Sequence, residues 1–299
     1  KFIITDGHID TPWRMHKWGY EDISKRSPGD FDYVRAKEGG LDVPFMAIYV
    51  PATYQVTGGA KEKAEELIAI VERIVSDHPD KFEIAHSPEE AERIVSEGKI
   101  ALPMGMENGA PLEGNLDNIK FFADLGVNYI TLAHSKSNHI SDSSYDENKR
   151  WPDGLSPFGF KVVKEMNKQG VMIDISHVSD AAFMKVLELS DAPVVATHSS
   201  LRHFTPGWER NVSDEMLIAL AENGGVIQLC FGSDFVANRK DNPDIQVSVK
   251  NVVDHIDRVR DLVGIDHVGF GSDFDGEVPL PEDINDVSKF PNLIEELLI

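Results

Sequence analysis

The feature that most constrains the fold is a regular alternation of short apolar runs, rich in β-branched residues, with longer amphipathic stretches. Near-continuous apolar strands alternating with helices are typical of a parallel sheet that is buried on both faces. Eight such units predict a (β/α)8 TIM-like barrel. The predicted strands are residues 2–8, 45–51, 100–108, 127–135, 171–177, 193–200, 225–231 and 267–275, and the predicted helices are 60–78, 87–98, 115–126, 156–170, 179–190, 213–224 and 251–264.

The length of 299 residues suits either two modest domains or one large α/β domain. The eight consecutive units favour one barrel domain over residues 1–299, with a last helix near residues 290–299 that the chain end cuts short. Lys1 precedes the first strand directly and is not a methionine, which indicates that upstream residues have been removed. The sequence therefore leaves the cellular compartment unassigned.

Composition excludes several classes of function. The formal net charge of -22 opposes nucleic-acid binding, which requires basic surface. We predict no transmembrane segment, because no apolar run reaches the roughly 18 to 20 residues that a membrane helix needs. Cys230 is the one cysteine, so a disulfide framework and a cysteine-based metal site are excluded, and its apolar surroundings predict a small buried core residue.

Metal-competent side chains end six of the eight predicted strands. Active sites of barrel enzymes form at the carboxyl ends of the strands, so these side chains are expected to converge there. The first pair is separated by one residue, and residues two apart on a strand point to the same side. The set comprises His8 and Asp10, Glu107, His134, His177, His198, and Asp273 with Asp275.

Any one of these residues alone is commonly structural: a lone histidine is hydrogen-bonded, and an aspartate after a strand caps a turn. Their joint occurrence at one end of successive strands predicts a metal site. Imidazole and carboxylate ligands suit Zn²⁺. Five candidate ligands exceed what one tetrahedral catalytic zinc takes from protein: His8, Asp10, Glu107, His177 and His198. Two ions bridged by a carboxylate fit better, and such ions lie roughly 3.5–4 Å apart and activate a shared water. The predicted reaction is hydrolysis.

Several motifs carry a resemblance to a known family. The segments "DGHID", "GMENG", "LAHS", "GLSPFG", "IDISHVS", "ATHSS", "RNV" and "HVGFGSDFDG" occur together and in order. With them the chain resembles the membrane (renal) dipeptidases, zinc metallopeptidases of the amidohydrolase superfamily, from residue 6 to about 297. The resemblance implies a (β/α)8 barrel with a binuclear metal site and the activity of a zinc-dependent dipeptidase.

The resemblance also implies the metal ligands. His8 and Asp10 match the ligands of one zinc, His177 and His198 match those of the other, and Glu107 matches the bridge between them. Many superfamily relatives bridge their metals with a carbamylated lysine on the fourth strand, where this chain has a histidine. Glu107 therefore takes that role, together with a bridging water or hydroxide.

Three further roles follow from the same resemblance. His134 matches the residue that contacts the scissile carbonyl, and a donor there would stabilise the developing oxyanion. Asp273 matches the proton carrier, which takes a proton from the attacking water and passes it to the leaving amine. Arg210 matches the arginine that binds the substrate carboxylate, and Asp275 is assigned a structural role. The implied substrates are free dipeptides.

Some questions stay open. Animal relatives place a tyrosine near Gly232 that this chain lacks, so the preferred side chains are not fixed, and bacterial relatives often accept a D-residue as well as an L-residue at the carboxyl side. The resemblance suggests a homodimer and export to the periplasm or cell envelope, with a cytoplasmic location as the alternative. Two rival functions are another binuclear amidohydrolase, acting on a cyclic amide, lactone or phosphoester, and an inactive zinc-binding homologue. The remaining histidines are expected at surface or capping positions: His16, His78, His86, His139, His203, His255 and His267. Of these, His139 and His203 follow ligand-bearing strands closely enough to border the pocket.

Overall fold

Eight parallel strands close into a barrel in the computed structural model, which describes residues 2–299. The spatial order follows the chain order around the barrel, and the last strand pairs with the first. The predicted (β/α)8 barrel is thus confirmed. The strands are β1 (Ile4–Ile9), β2 (Leu41–Tyr49), β3 (Phe82–Glu83), β4 (Ile100–Ala101), β5 (Met104–Glu107), β6 (Val127–Thr131), β7 (Met172–Asp174), β8 (Val195–Ser199), β9 (Val226–Leu229) and β10 (Val268–Phe270), of which β3 and β4 form a separate two-stranded sheet.

Helices lie between the barrel strands and cover the outside of the sheet. They are α1 (Thr11–Trp18), α2 (Tyr33–Gly39), α3 (Tyr54–Thr57), α4 (Ala60–Asp77), α5 (Pro88–Ser96), α6 (Asp117–Asp124), α7 (Pro157–Gln169), α8 (Asp180–Leu189), α9 (Asp214–Glu222), α10 (Ser233–Val236), α11 (Val249–Val263) and α12 (Phe290–Glu296), with 3-10 turns at Ala110–Leu112, Ile265–His267, Glu282–Ile284 and Val287–Lys289. All seven predicted helices are present, as is the predicted last helix.

The structure differs from the prediction near residue 103. The predicted strand at residues 100–108 divides into β4 and β5 at Leu102 and Pro103. Proline cannot donate a backbone hydrogen bond, but the carbonyl of Pro103 accepts one from Met46 of β2. The break sends the first half into the small sheet and the second half into the barrel. Helices α1, α2, α3 and α10 were also not predicted.

Serine side chains fix the starts of several helices. Ser87 accepts a hydrogen bond from the backbone of Glu90 at the start of α5, and Ser156 accepts one from Gly159 at the start of α7. Each serine satisfies a backbone N–H that the helix itself leaves unpaired. At the end of α7, Gly170 adopts a left-handed conformation with φ 70°. These local signals were visible in the sequence.

The barrel interior is filled by side chains that also prepare the site. A side chain on Gly105 of β5 could not be accommodated, because its Cβ would lie 1.9 Å from the ring of Tyr129 on β6. The glycine therefore makes room for the fully buried tyrosine. Within residues 2–299, no helix is long and apolar enough to cross a membrane.

Strand register places the first polar groups at one level. Tyr49 of β2 pairs with Glu107 of β5, Glu107 pairs with Thr131 of β6, and Thr131 pairs with Asp174 of β7. These residues are the last or nearly the last of their strands. The carboxyl ends of neighbouring strands thus deliver polar side chains to a common layer.

Candidate metal centre and active site

Four imidazoles converge on the carboxylate of Glu107. Nε2 of His177 and Nε2 of His198 lie 3.0 and 3.2 Å from its Oε1. Nε2 of His134 lies 3.5 Å from the same oxygen, and Nε2 of His8 lies 3.7 Å from Oε2. The structure therefore brings together the histidines of four different strand ends around one buried acid.

Two aspartates complete the cluster. Oδ2 of Asp10 lies 3.4 Å from Nε2 of His8. His8, Asp10 and Glu107 form one compact group of potential ligands, which matches one of the two predicted metal positions. Potential ligand atoms of Asp273 lie within 4.8 Å of those of His8 and His198. Potential ligand atoms of His134 likewise lie within 4.8 Å of those of His177, so the second predicted set, His177 and His198, has further polar neighbours.

A tyrosine fixes the proton on His8. The hydroxyl of Tyr129 donates to the carbonyl of Gly7 at 3.2 Å and lies 2.8 Å from Nδ1 of His8. Because a hydroxyl has only one proton to give, its oxygen accepts from Nδ1–H. Nε2 of His8 then carries a lone pair, and it faces Glu107 and Asp10 without a hydrogen-bond partner. This partner of a predicted ligand was not predicted from the sequence.

A threonine fixes the proton on Nδ1 of His198 in the same way. Thr197 donates its hydroxyl proton to Asp174 at 2.8 Å, and its oxygen lies 2.9 Å from Nδ1 of His198. An ionised carboxylate is an acceptor only, so Thr197 accepts from Nδ1–H and Nε2 of His198 is left with a lone pair. Thr131 also donates to Asp174, which holds the acid in place. Such outer partners orient metal-binding histidines in known sites.

The donor set fits a metal ion. Nε2 of His8 and Oδ1 of Asp10 are buried and have no hydrogen-bond partner within the described residues. A buried acceptor without a partner costs about 1–3 kcal/mol, and a bound cation removes that cost. Imidazole nitrogens and carboxylate oxygens together suit divalent transition metals such as Zn²⁺. The residues able to hold metal are therefore the histidines and acids of this cluster.

Burial and neighbouring charges shift the pKa values of the acids in opposite directions. Burial alone would raise the pKa of Glu107, but the surrounding imidazoles, with His134 and His8 foremost, hold it well below its usual range. Burial and the neighbouring Asp10 carboxylate raise the pKa of Asp273 well above its usual range. Burial likewise lowers the pKa of His198 well below the ordinary value for histidine. One acid is thus held ionised, and a second is poised to hold a proton.

Backbone strain is concentrated at the same place. His177 and Asp273 adopt positive φ angles of 68° and 64°. Residues other than glycine rarely adopt this conformation, and where they do the strain commonly serves a site. At both positions the turn follows the end of a barrel strand and directs the side chain into the cluster.

Arg210 reaches the cluster from the segment after β8. Its Nη2 donates to the carbonyl of His198 at 2.7 Å and to Nε2 of His177 at 3.1 Å, and its Nη1 donates to Ser199 at 2.7 Å. Arg210 is only 3% exposed, and its Nε has no partner within the described residues. Sequence alone would have allowed a surface arginine here, but the structure places a buried guanidinium beside the imidazoles.

A cavity of about 370 Å³ opens above the cluster. Small-molecule sites typically occupy about 300–1,000 Å³, so the volume suits a small substrate. Two lining tyrosines and one phenylalanine were not singled out in the sequence. The lining comprises Asp10, Trp13, Lys17, Tyr49, Pro51, Glu107, His134, Tyr145, His177, His198, Phe235, Asp273, Gly276, Glu277 and Val278.

The histidines that were set aside do not line this cavity. The surface or capping assignment is wrong for His255, which is fully buried. Its Nδ1 accepts from the backbone of Leu201 at 3.0 Å, and its Nε2 lies 3.2 Å from the carbonyl of Val236. Asp275 is structural as expected, since its carboxylate accepts from Thr11 and from the backbone of Asp30.

Comparison with known proteins identifies the family. The sequence model of "Membrane dipeptidase (Peptidase family M19)" matches residues 1–299, and the chain belongs to this family. Dipeptidase tcpJ of Claviceps purpurea (strain 20.1) is 35% identical over 98% of this chain and 71% of its own. Dipeptidase ataJ of Aspergillus terreus is 32% identical over 98% of this chain and 78% of its own. The protein is a metallo-dipeptidase, a hydrolase acting on peptide bonds.

Solved structures agree in fold. The probable dipeptidase PvdM from Pseudomonas aeruginosa is 29% identical with a TM-score of 0.89, and the match covers 100% of this chain and 90% of that one. A metallopeptidase from Rhodobacter sphaeroides, liganded with a phosphinate mimic of the dipeptide L-Ala-D-Ala, is 27% identical with a TM-score of 0.89, and the match covers 99% and 92%.

Proposed function

We propose that the protein hydrolyses the single peptide bond of free dipeptides, and that two zinc ions held by the strand-end cluster are required. The observation that carries the proposal is the orientation of His8 and His198. Their Nδ1 sides are bonded to Tyr129 and Thr197, so their Nε2 lone pairs face the acids of the cluster. Outer hydrogen bonds of this kind orient the histidine ligands of known metal sites.

In the proposed site each ion has its own ligands. His8 and Asp10 would hold the first zinc, His177 and His198 would hold the second, and Glu107 would be shared between the two. The distances support this division, because Oε2 of Glu107 faces His8 while Oε1 faces the other pair. When bound, a zinc pair supplies a shared water of lowered pKa and a Lewis acid for the scissile carbonyl.

Two residues of the chain would handle protons and charge during hydrolysis. Asp273 takes a proton from the attacking water and returns it to the leaving amine, and its raised pKa suits a group that must hold a proton in passing. His134 contacts the carbonyl oxygen, where a positioned donor stabilises the negative charge that develops. Both side chains line the cavity beside Glu107.

The charges around the cavity differ between its two sides. Burial raises the pKa of Tyr49, and three acidic neighbours raise it further: Glu107, Asp10 and Glu277. Arg210 instead lies on the side of His177 and Tyr145. A substrate α-carboxylate would thus find the opposite charge on the side of Arg210. We therefore assign the substrate carboxylate to Arg210, whose buried Nε has no partner within the described residues.

The small cavity limits substrate length. The proposed substrates include dipeptides with a D-residue at the carboxyl side. A related structure binds a mimic of L-Ala-D-Ala, which supports hydrolysis of L,D- as well as L,L-dipeptides. Assembly as a homodimer stays a prediction, which analytical ultracentrifugation checks.

The test is amine release from a panel of L,L- and L,D-dipeptides with N-acetylated counterparts, using zinc-loaded protein beside Glu107→Ala. We expect hydrolysis of the free dipeptides only, and its loss in the variant. Hydrolysis of cyclic amides or lactones but of no dipeptide, by protein that holds two zinc ions, would contradict the proposed substrate.

A further inference from the structure

Tyr145 lies on the rim of the cavity, on the long connection between β6 and α7. The centroid of its ring is 6.0 Å from that of His177. The side chain as a whole is 42% exposed. It is therefore open to solvent on one side and faces the proposed metal centre on the other.

The loop holds Tyr145 in register with the site. Ser143 donates its hydroxyl to the carbonyl of His134 at 2.5 Å, and the backbone of Ser144 donates to the carbonyl of His177 at 2.8 Å. The backbone of Tyr145 itself donates to the hydroxyl of Ser143 at 3.2 Å. The first two bonds tie the loop to residues that contribute an imidazole to the cluster, and the third ties Tyr145 to the same serine. Hydrogen bonds to residues of the site thus fix the position of Tyr145.

The surroundings of the Tyr145 hydroxyl show which way it points. Tyr145 lines the cavity together with His177 and Asp273, and burial raises the pKa of its hydroxyl, which is consistent with a hydroxyl that lies toward the cavity. The positive charge of Arg210 lowers the pKa of Tyr145, and the negative charge of Asp273 raises it. The hydroxyl therefore lies near both side chains. Arg210 itself retains one buried donor, Nε, without a partner in the described part of the chain.

We propose that Tyr145 is a substrate-binding, specificity-determining residue whose hydroxyl, together with Arg210, binds the terminal carboxylate of the dipeptide. This inference rests on the function proposed above. Two of the three guanidinium nitrogens already bond within the protein, to Ser199 and to His177 and His198. Since a carboxylate has two oxygens to satisfy, a second donor beside Arg210 completes the binding site.

Other side chains that line the cavity are less suited to this role. Lys17 is a cation, but its ammonium is paired with Glu277 at 2.6 Å. Tyr49 has a hydroxyl, but the groups that act on it are acidic and repel an anion. Tyr145 also lines the cavity, and the charge of Arg210 lowers the pKa of its hydroxyl.

The test compares Tyr145→Phe with the wild-type zinc enzyme on L-Ala-L-Ala and on L-Ala-L-Ala amide, which lacks the carboxylate. Loss of one hydrogen bond to a charged group predicts a rise in KM of about tenfold for the free dipeptide, with kcat nearly unchanged. The KM for the amide, already weak, should not change. Tyr33→Phe is the matched control, because that ring packs against Phe82 away from the cavity.

An active Tyr145→Phe enzyme with an unchanged KM for the dipeptide would overturn the role of Tyr145 and leave the dipeptidase proposal intact. An equal rise in KM for the dipeptide and the amide would overturn the carboxylate contact. If the wild-type enzyme hydrolysed no dipeptide, the proposed function would fail first, and this inference would fail with it.

Discussion

Nε2 of His177 and Nε2 of His198 lie 2.7 Å apart at the centre of the cluster. The contacts of their neighbours leave a lone pair on each: Thr197 accepts from Nδ1–H of His198, and Arg210, which only donates, bonds Nε2 of His177. Two lone pairs at this distance repel one another. A cation that binds these nitrogens relieves the repulsion, and Nε2 of His177 would exchange its hydrogen bond from Arg210 for the metal.

Removal of metal should therefore destabilise the fold as well as stop turnover. Metal binds the folded cluster and not the dispersed ligands, so at a thousandfold excess over its Kd it stabilises by about 4 kcal/mol. Thermal denaturation with and without a chelator measures the loss, and added zinc should restore the melting temperature. An identical melting temperature in both states would argue against a metal at this cluster.

Replacement of Asp273 by asparagine should lower kcat by at least about 100-fold, the usual contribution of a general acid or base. The amide keeps the shape of the side chain but cannot carry the proton. Steady-state kinetics measures the effect, with zinc content as the check on the site.

Asp275→Asn is the control for Asp273→Asn. Its carboxylate accepts from Thr11 and Asp30, so this variant should melt at a lower temperature yet keep its kcat. If Asp273→Asn retained wild-type kcat, the proton-carrier role would be lost.

Replacement of Arg210 by methionine should raise KM for free dipeptides by roughly 10- to 100-fold, since hydrogen bonds to charged groups contribute about 1.5–3 kcal/mol. Binding titrations with a phosphinate dipeptide mimic give the same quantity without turnover. Arg239→Met is the matched control, because Arg239 pairs with Asp234 at the surface. Equal KM values for Arg210→Met and wild type would favour a hydrolase of neutral substrates.

Stability should fall on acidification because of His255. Burial lowers the pKa of His255 from 6.5 to about 4. Between pH 6.5 and 4 the unfolded chain therefore binds a proton on His255 that the native protein does not bind. The stabilisation present above pH 6.5 is lost as pH falls through 4. Over that window the loss is about 3 kcal/mol.

Urea denaturation of wild type and His255→Gln between pH 4 and 7 isolates this contribution. The variant should be less stable at pH 7 but should show a flatter dependence on pH. Parallel pH profiles of the two proteins would show that His255 does not contribute to acid sensitivity.

Sequence reasoning located the barrel and the side chains of the cluster because both depend on local signals. Apolar runs mark the strands, and residues such as His8, Glu107 and His198 follow from strand ends alone. Contacts between distant segments were not predictable in this way. Tyr129 reaches His8 across 121 residues, and the buried His255 is recognised only through its contacts with Leu201 and Val236. The break at Pro103 was missed because β4 and β5 form one apolar run in sequence.

Whether a zinc pair performs dipeptide hydrolysis is tested by the rate of L-Ala-L-Ala hydrolysis as zinc is added stepwise to metal-free protein. We expect the rate to rise to a plateau at two equivalents per chain, and we expect no such rise for Glu107→Ala. A plateau at one equivalent, or zinc binding at two equivalents without hydrolysis of any dipeptide, would rule out a catalytic zinc pair.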